Sequence, residues 1–381
     1  MKNLIFGGET LVIGKDSLEY LREFNNKRVF IVTGGKSMIN NGTINKIKDI
    51  MSKNHCEIFV HQGVKANPDT EEVHLGLGLI NNFKPDILLA VGGGSPIDVG
   101  KILALLYDYP DIDLDNILNT TLPEKRRKIV LIVIPSTSGT GSEVTKAAVI
   151  TFRKLNIKIG IKCDALIPDV AILDPEITMT MSDRITAETG MDALTHAVEA
   201  YINKNGDDFT DCLAKGAVQG IVKYLPISYF ERTFGSREKM QNFQCMAGLA
   251  FANSGLGMAH GISHAMGGKF NLGHGLANAI ALPYVLKFNS RDAEVKRRLE
   301  ELATVTDSSN FIESVAAMNR RLNIPKSFEA AGITESDFYD DFDALVENSL
   351  LGSTLVNPVK ISKQEMAELL KMIFSGSNLE S

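Results

Sequence analysis

The chain has 381 residues, 44% of them hydrophobic and 23% charged, with a formal net charge of −6. That length accommodates two domains with substantial cores, and the negative balance argues against general attraction to nucleic acid or to an anionic membrane. No apolar run approaches a membrane span, MKNLIFGGETLVIG lacks the apolar core of a secretory signal, and Cys56, Cys163, Cys212 and Cys245 form no CxxC pair, so a cytoplasmic protein with reduced thiols is expected.

The first half alternates strand-like and helix-like runs. RVFIVTGG (28–35) is a β-branched strand ending in glycines, TINKIKDIMSKN (43–54) has helical periodicity, and CEIFVHQ (56–62) reads as a strand. DTEEVHLGLGLINNF (69–83) opens with one Asp and two Glu, as a capped helix does. DILLAVGGGS (86–95) is a strand running into a glycine turn, and a helix over 96–107 follows with Pro96 in its first turn. The glycines let a backbone approach a phosphate closely, Ser95 can cap the helix, and the helix N-terminus offers N–H groups to an anion. A glycine triplet also serves as a plain tight turn, and this one is neither GxGxxG nor a Walker A loop. KIVLIVIPS (128–136) is the next strand, leading into PSTSGTGS (135–142), with five hydroxyl residues and two glycines. That turn suits a ribose or phosphate, or simply a Ser/Thr cap. The alternation predicts a mostly parallel sheet with helices on both faces, and loops at adjacent strand ends are where such sheets bind ligands.

After DPEITMTM (174–181) strand-like runs become scarce. Segments rich in Ala, Leu, Ile and Met cover 186–203, 210–224, 237–252, 258–267, 275–289 and 293–304, and further helical patterns cover 309–321, 335–350 and 363–374. An α/β domain over 1–183 and an all-helical domain over 184–381 are expected. Four of the seven histidines fall in this second half. Asp192 and His196 are four apart and share a helix face, as do His260 and His264, while His274 follows a glycine-containing loop. Any one of these histidines alone reads as a buried, hydrogen-bonded side chain. As a set, one carboxylate and several imidazoles suit a divalent first-row metal such as Fe²⁺ or Zn²⁺.

GGGSPIDVGK, PSTSGTGSEVT, ILDPEIT, TGMDALTHAVEAY and HGISHAMGGKFNLGHGLANAIALP, in this order between residues 92 and 283, resemble the iron-containing (group III) alcohol dehydrogenases. The glycine motif alone is weak, but the ordered set is specific, and Asn357-Pro358 extends the resemblance toward the C-terminus. The resemblance implies an N-terminal dinucleotide-binding α/β domain and a helical metal and substrate domain. It implies Asp192, His196, His260 and His274 as metal ligands, with His264 beside the metal as a catalytic group that is not a ligand. Gly93, Gly94, Ser95 and Asp98 would surround the pyrophosphate and nearby cofactor groups, Ser136, Thr137 and Thr140 would contact the cofactor, and Lys158 would reach toward the nucleotide. Ala147, Val149 and Phe251 fall where related enzymes line their substrate pocket; all three are apolar, which favours a small primary alcohol or aldehyde of the butanol type over a polyol. The enzyme implied is an NAD(P)-dependent alcohol dehydrogenase, a homodimer or higher homo-oligomer, with a small-molecule substrate and no nucleic-acid or membrane partner.

One departure bears on the cofactor. Many NAD-using members carry an Asp just after the first strand, facing the adenosine ribose. Here that strand ends Val32-Thr33-Gly34-Gly35-Lys36-Ser37. Gly34 removes the charge that would repel a 2′-phosphate, and Lys36 and Ser37 can bind one, so NADP(H) is expected over NAD(H). The plainer reading of Gly34-Gly35 is a flexible turn with Lys36 solvated. A polyol dehydrogenase of the glycerol dehydrogenase type would carry more polar pocket residues. A dehydroquinate-synthase-like lyase would need clustered Lys and Arg for an acidic, phosphorylated substrate, whereas the basic residues between Asp192 and His274 mostly sit on helices away from the ligands. A non-catalytic binding protein is the remaining alternative, and a change in absorbance at 340 nm with butanal and NADPH separates dehydrogenases from the non-redox readings.

Overall fold

The computed structural model describes residues 2–153 and 157–377, without the side chains of Ile157 and Lys158. The chain divides into two units, Met1–Met181 and Ser182–Ser381. The strands of the first are β1 (Thr10–Ile13), β2 (Arg28–Gly34), β3 (Glu57–Val64), β4 (Ile87–Gly92), β5 (Val130–Pro135), β6 (Ala147–Phe152), β7 (Ile157–Lys162) and β8 (Val170–Leu173). Six form one sheet in the order β1-β8-β5-β4-β2-β3, with every pairing parallel. The helices are α1 (Ser37–Asn40), α2 (Thr43–Lys53), α3 (Thr70–Phe83), α4 (Gly94–Asp108) and α5 (Pro175–Thr178).

Side-chain alternation along β2 explains the layering. Phe30 and Val32 enter one core with Val73 and Ile80 of α3 and Ile97 of α4; Val29 and Ile31 enter another with Ile47, Ile50 and Met51 of α2. Covered on both faces, β4 is buried at every residue, as a central parallel strand should be. From β2 the chain moves outward to β3, and from β4 it moves the other way to β5. The order therefore reverses between β2 and β4, and the ligand crevice of an open α/β sheet lies outside the carboxyl ends at such a reversal. Those ends are Gly34 and Gly92. The antiparallel hairpin β6–β7 stands apart from this sheet.

Lys101 is fully buried on α4, and its Nζ donates to Thr145 O at 2.8 Å, Thr145 Oγ1 at 3.2 Å and Ala147 O at 2.9 Å. Burial pushes its ammonium down to about 8, against the upward pull of Asp98 and Glu143. Above that value the folded chain holds fewer protons here than the unfolded chain. The group's penalty on folding is therefore full below about pH 8 and is relieved as pH rises toward the ordinary lysine value. Denaturant unfolding at pH 7.5 and 9.5 is expected to show a stabilising slope of at most about 1.4 kcal/mol per pH unit from this group. Lys101→Met should lose that slope; equal slopes in the two proteins would refute the assignment.

The second unit consists of helices α6 (Asp183–Ile202), α7 (Asp208–Phe230), α8 (Phe234–Ser254), α9 (Met258–Phe270), α10 (His274–Asn289), α11 (Ala293–Val305), α12 (Phe311–Arg321), α13 (Glu335–Asp340), α14 (Phe342–Ser349) and α15 (Lys363–Ser375). The single helix expected over 335–350 is two, broken at Asp341. One apolar core unites them, and it includes buried alanines such as Ala193 and Ala197 on α6 and Ala277 and Ala281 on α10. Small side chains there let helices approach closely, and no described helix is long and apolar enough to cross a membrane. The expected architecture, a parallel α/β portion followed by an all-helical portion, is what the structure shows.

Candidate metal centre and cofactor loops

Three helices of the second unit assemble the polar cluster. Asp192 and His196 lie one turn apart on α6, His260 lies in the first turn of α9, and His274 is the first residue of α10. One donor atom from each of the four falls within 4.8 Å of all the others, and Asp192, His196 and His260 are buried. Asp192 Oδ1 lies 4.0 Å from His260 Nε2 and 3.8 Å from His274 Nε2. These spacings bring the four donors around one point at ion-sized separation. His264 is outside that group of four; its ring stacks on that of His274 at 5.1 Å and meets His260 edge-on at 6.2 Å. Close packing of α10 on α6 depends on Gly275, where a Cβ would sit 2.3 Å from Glu188 O.

The groups around the cluster set the direction of its nitrogens. His260 Nδ1 meets Glu199 Oε2 at 2.6 Å. Ser263 Oγ donates to His274 O at 2.9 Å and sits 3.0 Å from His274 Nδ1, so it accepts the Nδ1 proton. Both bonds leave Nε2 as the basic nitrogen facing the cluster. Asn278 Nδ2 donates to Asp192 Oδ1 at 2.7 Å. Burial, reinforced by His196, His274 and His264, holds His260 well below the usual histidine range, so its imidazole is neutral, the form that ligates. His260 Nε2 is itself buried without a hydrogen-bond partner. Leaving such an atom unsatisfied is costly, and a divalent ion accounts for it. Three imidazoles and one carboxylate fit Fe²⁺ or Zn²⁺. Glu199, Ser263 and Asn278 were not singled out in the sequence, although Glu199, three residues beyond His196, shares its helix face.

In the first unit the glycine loop and the polar turn meet. A Cβ on Gly93 would lie 3.6 Å from the Thr137 side chain, and one on Gly94 would lie 3.0 Å from Thr140 Cγ2. Ser136 N donates to Gly92 O at 2.8 Å, joining the two strand ends. Gly34 belongs to the same neighbourhood: its Cβ would lie 3.6 Å from Pro96 Cγ in the first turn of α4. The expected Ser95 cap is a correction. The helix begins at Gly94, so Ser95 is already inside it, and Gly93 occupies the cap position with no side-chain bond. Asp98 accepts from Ser142 Oγ at 2.8 Å and from Val149 N at 3.1 Å, tying α4 to the polar turn and to β6. Ser138 Oγ is buried in the polar turn without a hydrogen-bond partner, a hydroxyl that a bound ligand can satisfy. Gly35 and Lys36 are exposed, and the side chain of Lys158 lies outside the described residues. Of the three apolar positions, Phe251 stacks on the His196 ring at 4.4 Å, while Ala147 and Val149 are half-buried on β6.

Known proteins share both the sequence pattern and the fold. Residues 8–175 match the family described as iron-containing alcohol dehydrogenase, and residues 186–374 match the C-terminal part described as Fe-containing alcohol dehydrogenase family. The chain is 38% identical over 376 residues to an NADPH-dependent butanol dehydrogenase of Clostridium saccharobutylicum, covering 96% of this chain and 97% of that one. It is 33% identical over 375 residues to the 1-propanol dehydrogenase PduQ of Citrobacter freundii, covering 95% and 97%. The solved iron-containing alcohol dehydrogenase of Thermococcus thioreducens superposes with a TM-score of 0.91 at 32% identity, covering 98% of this chain and all of that one.

Proposed function

This chain belongs to the iron-containing alcohol dehydrogenase family, and on that footing we propose that it interconverts a small primary alcohol and its aldehyde, with Asp192, His196, His260 and His274 holding one Fe²⁺ or Zn²⁺ and NADP(H) as the preferred hydride carrier. It is an alcohol dehydrogenase/aldehyde reductase that uses a metal and a nicotinamide cofactor. The observation that carries the ligand assignment is the convergence of four donor atoms within 4.8 Å, two of their imidazoles held by separate partners. When bound, the metal supplies Lewis acidity toward the substrate oxygen, and the nicotinamide gives or takes the hydride.

The protein's own contribution is orientation. Glu199 and Ser263 aim two imidazoles, Asn278 holds Asp192, and Phe251 closes one side of His196 with an apolar ring. Gly93, Gly94, Ser95, Ser136, Thr137 and Thr140 form the polar seat for the pyrophosphate and neighbouring groups. Asp98 keeps that seat together through Ser142 and Val149. The apolar character of Ala147, Val149 and Phe251 supports a small primary alcohol or aldehyde as the substrate. NADP(H) preference is supported by Gly34, Gly35 and Lys36 in place of an acidic residue, and by the cofactor named for the Clostridium relative.

Oxidation of NADPH by butanal, followed at 340 nm with and without added Fe²⁺ or Zn²⁺, tests the reaction; no aldehyde-dependent oxidation in metal-loaded protein would sink it. His264, half-buried against the His274 ring, is assigned to pass the alcohol proton through a ring nitrogen. Its loss should act on turnover. His264→Ala is expected to lower kcat by about 100-fold or more, the usual scale of a positioned proton carrier, while metal content stays near one per chain. His260→Ala should lose the metal. Equal metal loss in both variants would erase the distinction between them.

A further inference from the structure

Helix α9 carries one cluster histidine, but its cap position is Gly257, which has no side chain with which to cap it. Its first backbone donors are satisfied from elsewhere. Gly257 N donates to Glu199 Oε2 at 2.8 Å, Ala259 N donates to Glu199 Oε1 at 2.7 Å, and Met258 N donates to Asn357 Oδ1 at 3.1 Å. A Cβ at position 257 would lie 2.8 Å from Glu199 Oε1 and 3.0 Å from Asn357 Oδ1, so glycine is what admits the two acceptors. The Glu199 oxygen that accepts from Gly257 also lies 2.6 Å from His260 Nδ1, in position to accept a hydrogen bond from it. Glu199 is fully buried, on the face of α6 that also presents Asp192 and His196.

We propose that Glu199 is a positioning residue for the metal site: one carboxylate caps α9 from α6 and simultaneously fixes His260 as the Nδ1–H tautomer, so that Nε2 is presented as a preformed ligand. This rests on the ligand assignment above. The two jobs are coupled by geometry. The carboxylate that anchors the helix start is the one that aims the third residue of that helix. Asn357 anchors the same helix start without a hydrogen bond to His260, which makes it the natural control for capping alone. In Glu199→Gln the amide cannot accept from all three donors. If its NH₂ faces Nδ1, the imidazole proton moves to Nε2 and must be lost before a metal can bind.

The experiment compares wild type, Glu199→Gln and Asn357→Ala as metal-free proteins, measuring Zn²⁺ dissociation constants by chelator competition and unfolding without metal. Glu199→Gln is expected to weaken Zn²⁺ binding by about 10–100-fold, the scale for partners that orient a metal-bound histidine. Asn357→Ala should lower stability while changing Zn²⁺ affinity by less than about 3-fold, since it leaves the bond to His260 in place. Unchanged affinity in Glu199→Gln, or equal losses in the two variants, would overturn the proposal. A measurement on the wild type guards against variants that fail to fold. Nitrogen-15 histidine spectra of the metal-free protein should show His260 protonated at Nδ1 alone, and a proton on Nε2 would refute the tautomer. That readout needs no metal, so a wild-type protein that binds no Zn²⁺ would refute the ligand assignment and leave the role of Glu199 in fixing the tautomer separately testable.

Discussion

His274→Ala is expected to bring metal content from about one per chain to near zero after dialysis, and to lower kcat/KM for butanal by about 1,000-fold or more. The size follows from the several kcal/mol that a Lewis acid contributes to charge stabilisation, since about 4 kcal/mol corresponds to about 1,000-fold in rate. Of the four proposed ligands, His274 is the informative one to remove because its loss leaves the rest of the site standing. It is the first residue of α10, its side chain is 30% exposed, and Ser263 Oγ keeps its bond to the residue's backbone carbonyl whatever the side chain. Removing Asp192 would instead strip the buried acceptor from Asn278, mixing metal loss with destabilisation. Elemental analysis and circular dichroism on the same preparation separate the two effects. A folded variant with full metal occupancy would remove His274 from the ligand set.

Much of this site is legible in the sequence because its donors fall in two short segments at helical spacing. Asp192 and His196 share a face by the 3.6-residue period, and His260 follows a glycine-rich stretch at the start of a helix. Spacing cannot separate His260 from His264, because both stand one turn apart on α9; only their surroundings do, and those come from other helices. Glu199, Asn278 and Asn357 act across α6, α9, α10 and the C-terminal segment through contacts 58 to 99 residues apart, which leave no local pattern, and Ser263 reaches His274 from the preceding helix, 11 residues away and off any helical period. The same limit holds in the α/β unit. The central strands are continuous apolar runs and read directly. The four-residue β1 becomes a strand only because β8 is there to pair with it. Helix α4 starts two residues before the position its sequence predicts, because Ser at 95 is a common cap whereas the glycines before it let the backbone turn into the helix earlier. The break at Asp341 leaves no sequence signal because helical periodicity continues on either side of it.

Gly34→Asp is expected to shift cofactor preference from NADPH toward NADH, and the structure leaves room for it. A side chain at 34 would make ordinary van der Waals contacts, 3.6 Å from Pro96 Cγ and 3.6 Å from Val64 O, so the substitution does not force the backbone. Position 34 ends β2, next to the reversal in strand order, and its neighbour Pro96 lies in the first turn of the helix that follows the glycine loop. A carboxylate placed there supplies an acceptor for a ribose 2′-hydroxyl and a repulsive charge against a 2′-phosphate, so it works on both sides of the comparison. Lys36, exposed two residues further on, remains available to pair with the phosphate in the wild type. Repulsion in a partly solvated crevice is of order 1–3 kcal/mol, or about 5–150-fold in relative kcat/KM. Because Coulomb repulsion at such a site is screened, the shift should shrink as salt is raised, which a steric effect of the new side chain would not do. Steady-state kinetics with both cofactors at fixed butanal, at low and high ionic strength, give the answer. A wild-type enzyme that prefers NADH, or a variant with unchanged preference, would mean that the 2′ position is recognised by residues other than Gly34 and Lys36.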